Sequence, residues 1–230
     1  MKKITELEEM RRIYDVQGYV VLETGISDIW IMELLAVYLG SVRGIWGKRY
    51  EVNFRPDQEV TKNSVAQSAT ELPPHTDGSF EIDLPPSFIL QCIESDLEGY
   101  GVSVLIDSWK VIEMLSKQTL QVLLDAPFKF YRAEMGKEVT LSAPIIERDG
   151  ASYQFRYRND RKHPLIPTSD ESSQALKELV AAINSNQVRN EFQLKPGDIL
   201  WANNKRMIHG RTELSNKVPR KVRRFWLQSD

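Results

Sequence analysis

The chain is poor in several residues that advertise a special environment. It holds one cysteine, Cys92, so no intramolecular disulfide can form, and a reducing compartment suits it. Cys92 itself reads as a small buried hydrophobe. Charge of one sign is also lacking: 30 Lys and Arg stand against 32 Asp and Glu, a formal net charge of -2. No overall basic field exists to draw in nucleic acid or an anionic membrane. No apolar run approaches the roughly 20 residues of a membrane-spanning helix. The opening, Met1 to Glu9, turns acidic where a signal peptide needs an apolar stretch. Repeats, low-complexity tracts and inter-domain linkers are missing as well. With 230 residues, 41% of them hydrophobic, the chain reads as one domain over 1–230 with a substantial core, soluble and cytoplasmic.

What is present is a succession of short strands with few helices. A polar helix is expected over 5–16, and a strand over 18–22. Ser27 or Asp28 caps a helix that Gly40 ends. A strand at 49–54 precedes a polar, aperiodic loop over 55–74, and loops of that length carry function or move. Strands follow at 87–93 and 101–106, then helices over 109–124 begun by Asp107 or Ser108. Further strands are expected at 128–132, 143–147 and 151–158, the last with aromatics on one face and polar groups on the other. An amphipathic helix spans 169–185. Strands at 198–203, 206–211 and 221–228 close the chain. This order predicts a mainly β protein with flanking helices (α+β), built as a double-stranded β-helix, a cupin-like jelly roll that encloses a cavity.

Histidine is scarce too, with only His75, His163 and His209. His75-Thr76-Asp77 follows a Pro-Pro pair, and on an extended backbone residues i and i+2 share a face, so both side chains reach a common point. With His209 they would supply a 2-His-1-carboxylate facial triad, which leaves positions open on iron for oxygen and a co-substrate. His163, among charges and before Pro164, reads as solvated. Arg220 and Arg224 lie beyond His209, and on a strand 220, 222 and 224 share a face while Arg223 turns away. A cationic fork near the metal can grip the far carboxylate of a dicarboxylic co-substrate in charge-assisted bonds, with the Ser103 hydroxyl completing the grip.

His75-x-Asp77, then His209, then Arg220 together resemble the Fe(II)/2-oxoglutarate dioxygenases of the taurine dioxygenase (TauD/TfdA) superfamily. The branch that includes γ-butyrobetaine hydroxylase and clavaminate synthase is the nearest in likeness. Leu84-Pro85-Pro86, Leu90-Gln91-Cys92, Gly101 to Asp107, Phe155 to Asn159 and His209-Gly210-Arg211-Thr212 carry that similarity over roughly 60–228. The resemblance implies Fe(II) held by His75, Asp77 and His209, with 2-oxoglutarate and O2 as co-substrates. It implies the distal carboxylate of 2-oxoglutarate on Arg220 and Ser103, and substrate contact by Arg224. Asn63 and Gln67, in the loop entering the triad, are candidate substrate contacts. The implied reaction oxidises an unactivated C–H of a small amino-acid-derived or carboxylate-bearing substrate, most simply by hydroxylation, and releases succinate and CO2. The family's usual Gly-Gly reads Tyr100-Gly101 here, which alters a turn before Ser103.

Two other readings compete. One is a non-catalytic jelly-roll module that keeps a metal or ligand site. The other is a nucleic-acid binder using the basic strand Arg220-Lys221-Val222-Arg223-Arg224, which the near-neutral charge opposes. A small-molecule substrate, no nucleic acid, no membrane and a possible homo-oligomer are the partner expectations.

Overall fold

A computed structural model of the chain describes residues 2–42, 50–54, 68–95, 99–134, 137–215 and 219–228. Asn63 and Gln67, with most of the loop expected over 55–74, lie outside the described residues. In chain order the elements are α1 (Lys2–Gln17), β1 (Tyr19–Glu23), α2 (Ile29–Leu39), β2 (Ser41–Val42), β3 (Tyr50–Phe54), β4 (Leu72–His75), β5 (Ser87–Glu94) and β6 (Ser103–Asp107). Then come α3 (Ser108–Met114), α4 (Lys117–Asp125), β7 (Phe128–Glu134), β8 (Lys137–Ala143), β9 (Ile146–Asp149), β10 (Ser152–Phe155) and β11 (Leu165–Ile166). The chain ends with α5 (Asp170–Ile183), β12 (Arg189–Phe192), β13 (Asp198–Asn203), β14 (Met207–Arg211) and β15 (Arg220–Gln228).

Two antiparallel sheets make the jelly roll. The larger runs β1-β13-β5-β15-β2, with β3 also on β15; the smaller runs β12-β6-β14-β4. Their facing surfaces close on Phe88, Leu200 and Ala202 from one sheet and Leu105 and Met207 from the other. On the outer face of the larger sheet, α1 and α2 set Met10, Met32, Leu35 and Leu39 against Ile89, Trp201, Phe225 and Leu227. On the outer face of the smaller sheet, Val104, Ile106 and Ile208 pack with Leu123 of α4, Leu179 of α5 and Phe130 of β7. Strands β5, β6, β13 and β14 are apolar on both faces because each separates two cores, which is why they read as near-continuous hydrophobic runs.

Several expectations need correction. Pro73 and Pro74 are strand residues, not the end of a loop. Among the named strands β4 pairs with β14 alone and is an edge of its sheet, where a missing N–H costs no ladder bond; His75 at its end also bridges to Arg158. The strand expected at 143–147 is the junction of two, β8 ending at Ala143 and β9 starting at Ile146; β8 pairs with β7 over Phe128↔Ala143 to Glu134↔Lys137. The strand expected to reach 158 stops at Phe155, and the polar–aromatic alternation stops with it. Arg156 is 4% exposed and donates to the carbonyls of Ser79, Glu81 and Ile82. The segment that follows the H-x-D motif is therefore fastened to Arg156 by three of its carbonyls. Asp28 precedes α2 without a side-chain cap bond, whereas Asp107 caps α3 and Ser169 forms a capping box on α5.

Candidate metal centre

Edge strand β4 delivers His75, and β14 delivers His209 directly opposite it, the two forming a Cα register pair. The ring centroids are 4.4 Å apart, and Phe88 from the facing sheet packs on His209 at 4.5 Å. Gly210 follows because β14 runs too close to β4 for a side chain; a Cβ there would lie 2.5 Å from the Leu72 carbonyl. Asp77 does not continue the strand as the i, i+2 argument supposed. It sits in a turn, and Gly78 turns the chain with φ +69, where a Cβ would also strike Pro85. Asn204 secures this turn. Its amide accepts from the Asp77 N–H at 2.7 Å and donates to the Asp77 carbonyl at 2.9 Å and the Pro85 carbonyl at 2.8 Å.

The ligand atoms of His75, Asp77 and His209 lie within 4.8 Å of one another. Asp77 Oδ1 is 3.7 Å from Nε2 of His75 and 3.7 Å from Nε2 of His209. The second nitrogens fit a metal as well. His75 Nδ1 lies 3.0 Å from the Pro73 carbonyl and His209 Nδ1 3.4 Å from the Met207 carbonyl. A carbonyl only accepts, so each Nδ1 carries the proton and each Nε2 presents its lone pair to the shared point. Burial, then Arg158 and His209, pull His75 down to about 3, so it is neutral and able to ligate. Burial alone would raise the Asp77 carboxyl, but the charge of Arg224 leads the contacts that outweigh it, and Asp77 lies well below the usual carboxylate range. The donor set therefore suits a borderline divalent ion with open positions, as in 2-His-1-carboxylate iron sites.

Beside the triad a cavity opens between the sheets. Leu72, Ser103 and Arg211 line it from the smaller sheet; Leu90, Arg220 and Arg224 line it from the larger. Arg220 forms no ion pair among the described residues, and burial pushes its guanidinium down. Arg211 is 2% exposed and donates to the carbonyls of Ser68, Thr70 and Thr212. Burial, then Arg220, push it down as well. Two guanidiniums and the Ser103 hydroxyl thus face one largely apolar cavity.

Arg224 shares that face of β15, yet its guanidinium donates to Asp77 Oδ1 at 2.5 Å. Trp226 completes the row and donates from Nε1 to Asp77 Oδ2 at 2.8 Å. Arg223 turns away and donates to Gln91 Oε1, so the basic run is not a solvated stripe. His163 is not solvated either: its Nδ1 meets Asp160 at 3.0 Å and its ring lies 5.4 Å from Phe80. The reading of the residues alone missed Arg211, Asn204, Arg156 and Trp226. The pair Asn203-Asn204 shortly before His209 was the one signal available for them.

Three comparisons bear on the site. The family model described as taurine catabolism dioxygenase TauD, TfdA family matches residues 4–226. Human (Homo sapiens) gamma-butyrobetaine dioxygenase is 28% identical over 176 residues, 70% of this chain and 45% of that protein. The chain thus spans about half the length of the curated relatives it matches. Among solved structures, an asparagine oxygenase in complex with Fe(II), 3-hydroxyasparagine and succinate superposes with a TM-score of 0.81 at 19% identity, covering 99% of this chain and 80% of that one. The non-heme iron oxygenase OrfP with Fe and alpha-ketoglutaric acid gives 0.75 at 16%, covering 100% and 80%.

Proposed function

Because this chain belongs to the taurine catabolism dioxygenase TauD, TfdA family, we propose that it is a non-haem Fe(II)- and 2-oxoglutarate-dependent dioxygenase. It hydroxylates an unactivated C–H of a small amino-acid-derived or carboxylate-bearing substrate. One observation carries this reading: the two histidines of a His-Asp-His triad and a guanidinium with no ion pair among the described residues, Arg220, line one cavity. A relic metal module would have no need of the second feature. The names of the relatives, gamma-butyrobetaine dioxygenase and asparagine oxygenase, favour substrates built on an amino acid.

His75, Asp77 and His209 would hold Fe(II). Bound there, the ion would supply the redox chemistry in which 2-oxoglutarate and O2 become succinate and CO2 and one oxygen atom enters the substrate C–H bond. The protein's own part is placement. The carbonyls of Pro73 and Met207 fix the imidazole tautomers, and Asn204 fixes the turn that carries Asp77. Arg220, assisted by Ser103, takes the distal carboxylate of 2-oxoglutarate, and Arg211 adds positive potential on the same wall. Phe88, Leu90, Leu105 and Leu200 keep that space apolar, which strengthens each charged bond. Arg224, which now donates to Asp77, would exchange it for a substrate carboxylate, and Asn63 and Gln67 are candidates for further substrate contacts.

The unit is read as one domain over 1–230, acting in the cytoplasm on a small molecule rather than on nucleic acid, and free to form a homo-oligomer. No described helix is long and apolar enough to cross a membrane. The test is a succinate-release screen across amino acids and their derivatives, with His209→Ala as control. Substrate-stimulated succinate in the wild type and none in His209→Ala is expected. Equal release from both proteins would remove His209 from the site.

A further inference from the structure

We infer that Trp226 is a positioning residue for the metal ligand Asp77: its indole N–H fixes which carboxylate oxygen faces the two histidines. The inference rests on the reading that the triad holds a metal, and it adds a residue that neither motif nor spacing points to.

An aspartate carboxylate is rotationally soft. Its terminal torsion is broad and roughly two-fold, so a buried carboxylate can present either oxygen unless something chooses. Asn204 holds the backbone of residue 77 by its N–H and carbonyl and does not touch the carboxylate. Two groups do. Arg224 meets Oδ1, the oxygen that lies 3.7 Å from both Nε2 atoms and that an ion would need. A guanidinium there competes with a cation for the same lone pairs, so its bond must weaken as metal enters. Trp226 meets Oδ2 at 2.8 Å, on the side away from the histidines. Its donor is neutral and competes for nothing the ion uses, so this bond persists on loading. The indole is itself held in place. Trp226 pairs with Phe88 across β15 and β5, packs with the inter-sheet core, and lies under the Arg224 guanidinium at 5.2 Å.

A bond of this kind to a ligating carboxylate typically changes metal affinity by about 10–100-fold. The experiment is an anaerobic titration of the metal-free protein with Co(II), read by its ligand-field absorption. Trp226→Phe keeps an aromatic ring and removes the donor. It is expected to bind Co(II) about tenfold more weakly, with a changed band shape, while the metal-free variant melts at the wild-type temperature. Trp226→His returns an N–H on a smaller ring and is expected to recover part of the affinity. Wild-type affinity and spectrum in Trp226→Phe would overturn the inference. Should that variant not fold, the wild-type protein still decides. The assigned Trp226 indole resonance should exchange slowly with water and shift when diamagnetic Zn(II) is added; a resonance blind to metal, or freely exchanging, overturns it. A wild type that bound no Co(II) would instead sink the metal reading itself.

Discussion

Two groups of buried arginines in this molecule are treated in opposite ways. At the corner under α1, Arg206 is closed on itself. It donates from Nε and Nη2 to both oxygens of Asp107 at 3.0 and 2.7 Å, from Nη1 to the Val16 carbonyl, and lies 4.0 Å over the Trp109 ring. In the cavity between the sheets, Arg220 has no ion pair among the described residues, while Arg211 donates to the Ser68, Thr70 and Thr212 carbonyls and feels the charge of Glu71; burial pushes both guanidiniums down. Taking a charge out of water costs several kcal/mol unless it is paired. The first arrangement meets that cost within the chain and is architecture. At Arg220 no ion pair among the described residues meets it, which supports the proposal that an anion binds there.

The comparison breaks first at the closed corner. Asp107→Ala strands the Arg206 guanidinium and removes the α3 cap, and should cost about 3–5 kcal/mol in urea unfolding. Its metal affinity should stay at the wild-type value. A loss below about 1 kcal/mol would mean that the closed pair is not what holds α1 to the sheet. The next effect lies between the two regions. Arg224 is partnered by Asp77 now but faces the cavity, and Arg224→Met should raise the KM for the acidic substrate by roughly tenfold to a hundredfold, about 1.5–3 kcal/mol. Slow substrate-independent decay of 2-oxoglutarate should survive. A wild-type substrate KM would make Arg224 a partner of Asp77 and nothing more. The smallest effect concerns the turn. Asn204→Ala leaves the backbone groups of Asp77 and Pro85 without their buried partner, costing about 1–3 kcal/mol of stability, and should weaken metal binding as well. Lost stability with unchanged metal affinity would confine Asn204 to the fold.

The same contrast explains what the sequence made legible. His75, His209 and Arg220 stand on strands, and β13 and β14 announce themselves because each divides two cores, while β15 shows Val222, Phe225 and Leu227 buried among its basic residues; Asp77 was legible from the H-x-D motif although it lies in a turn. Ser169 and the periodicity of α5 are local signals too. β4 was missed because its prolines argue against a strand unless it is an edge, and edges exist only in the assembled sheet. β8, β11 and β12 are short or polar and follow their neighbours rather than their own propensity. Asn204 reaches Asp77 across 127 residues and Trp226 across 149. Such pairs have no period in the chain, so the partners of the ligands stayed hidden while the ligands did not.

The proposal that matters most is that Arg220, with no ion pair among the described residues, takes the far carboxylate of 2-oxoglutarate. It is tested most directly by anaerobic calorimetry of 2-oxoglutarate binding to the Mn(II)-loaded protein, wild type against Arg220→Ala. The wild type should bind one 2-oxoglutarate per chain. Arg220→Ala should bind about 2–5 kcal/mol more weakly, with no loss of stability in the ligand-free protein, since the variant removes a buried charge that has no ion pair among the described residues. Equal affinity in the two proteins would contradict the claim and move the carboxylate to another cation.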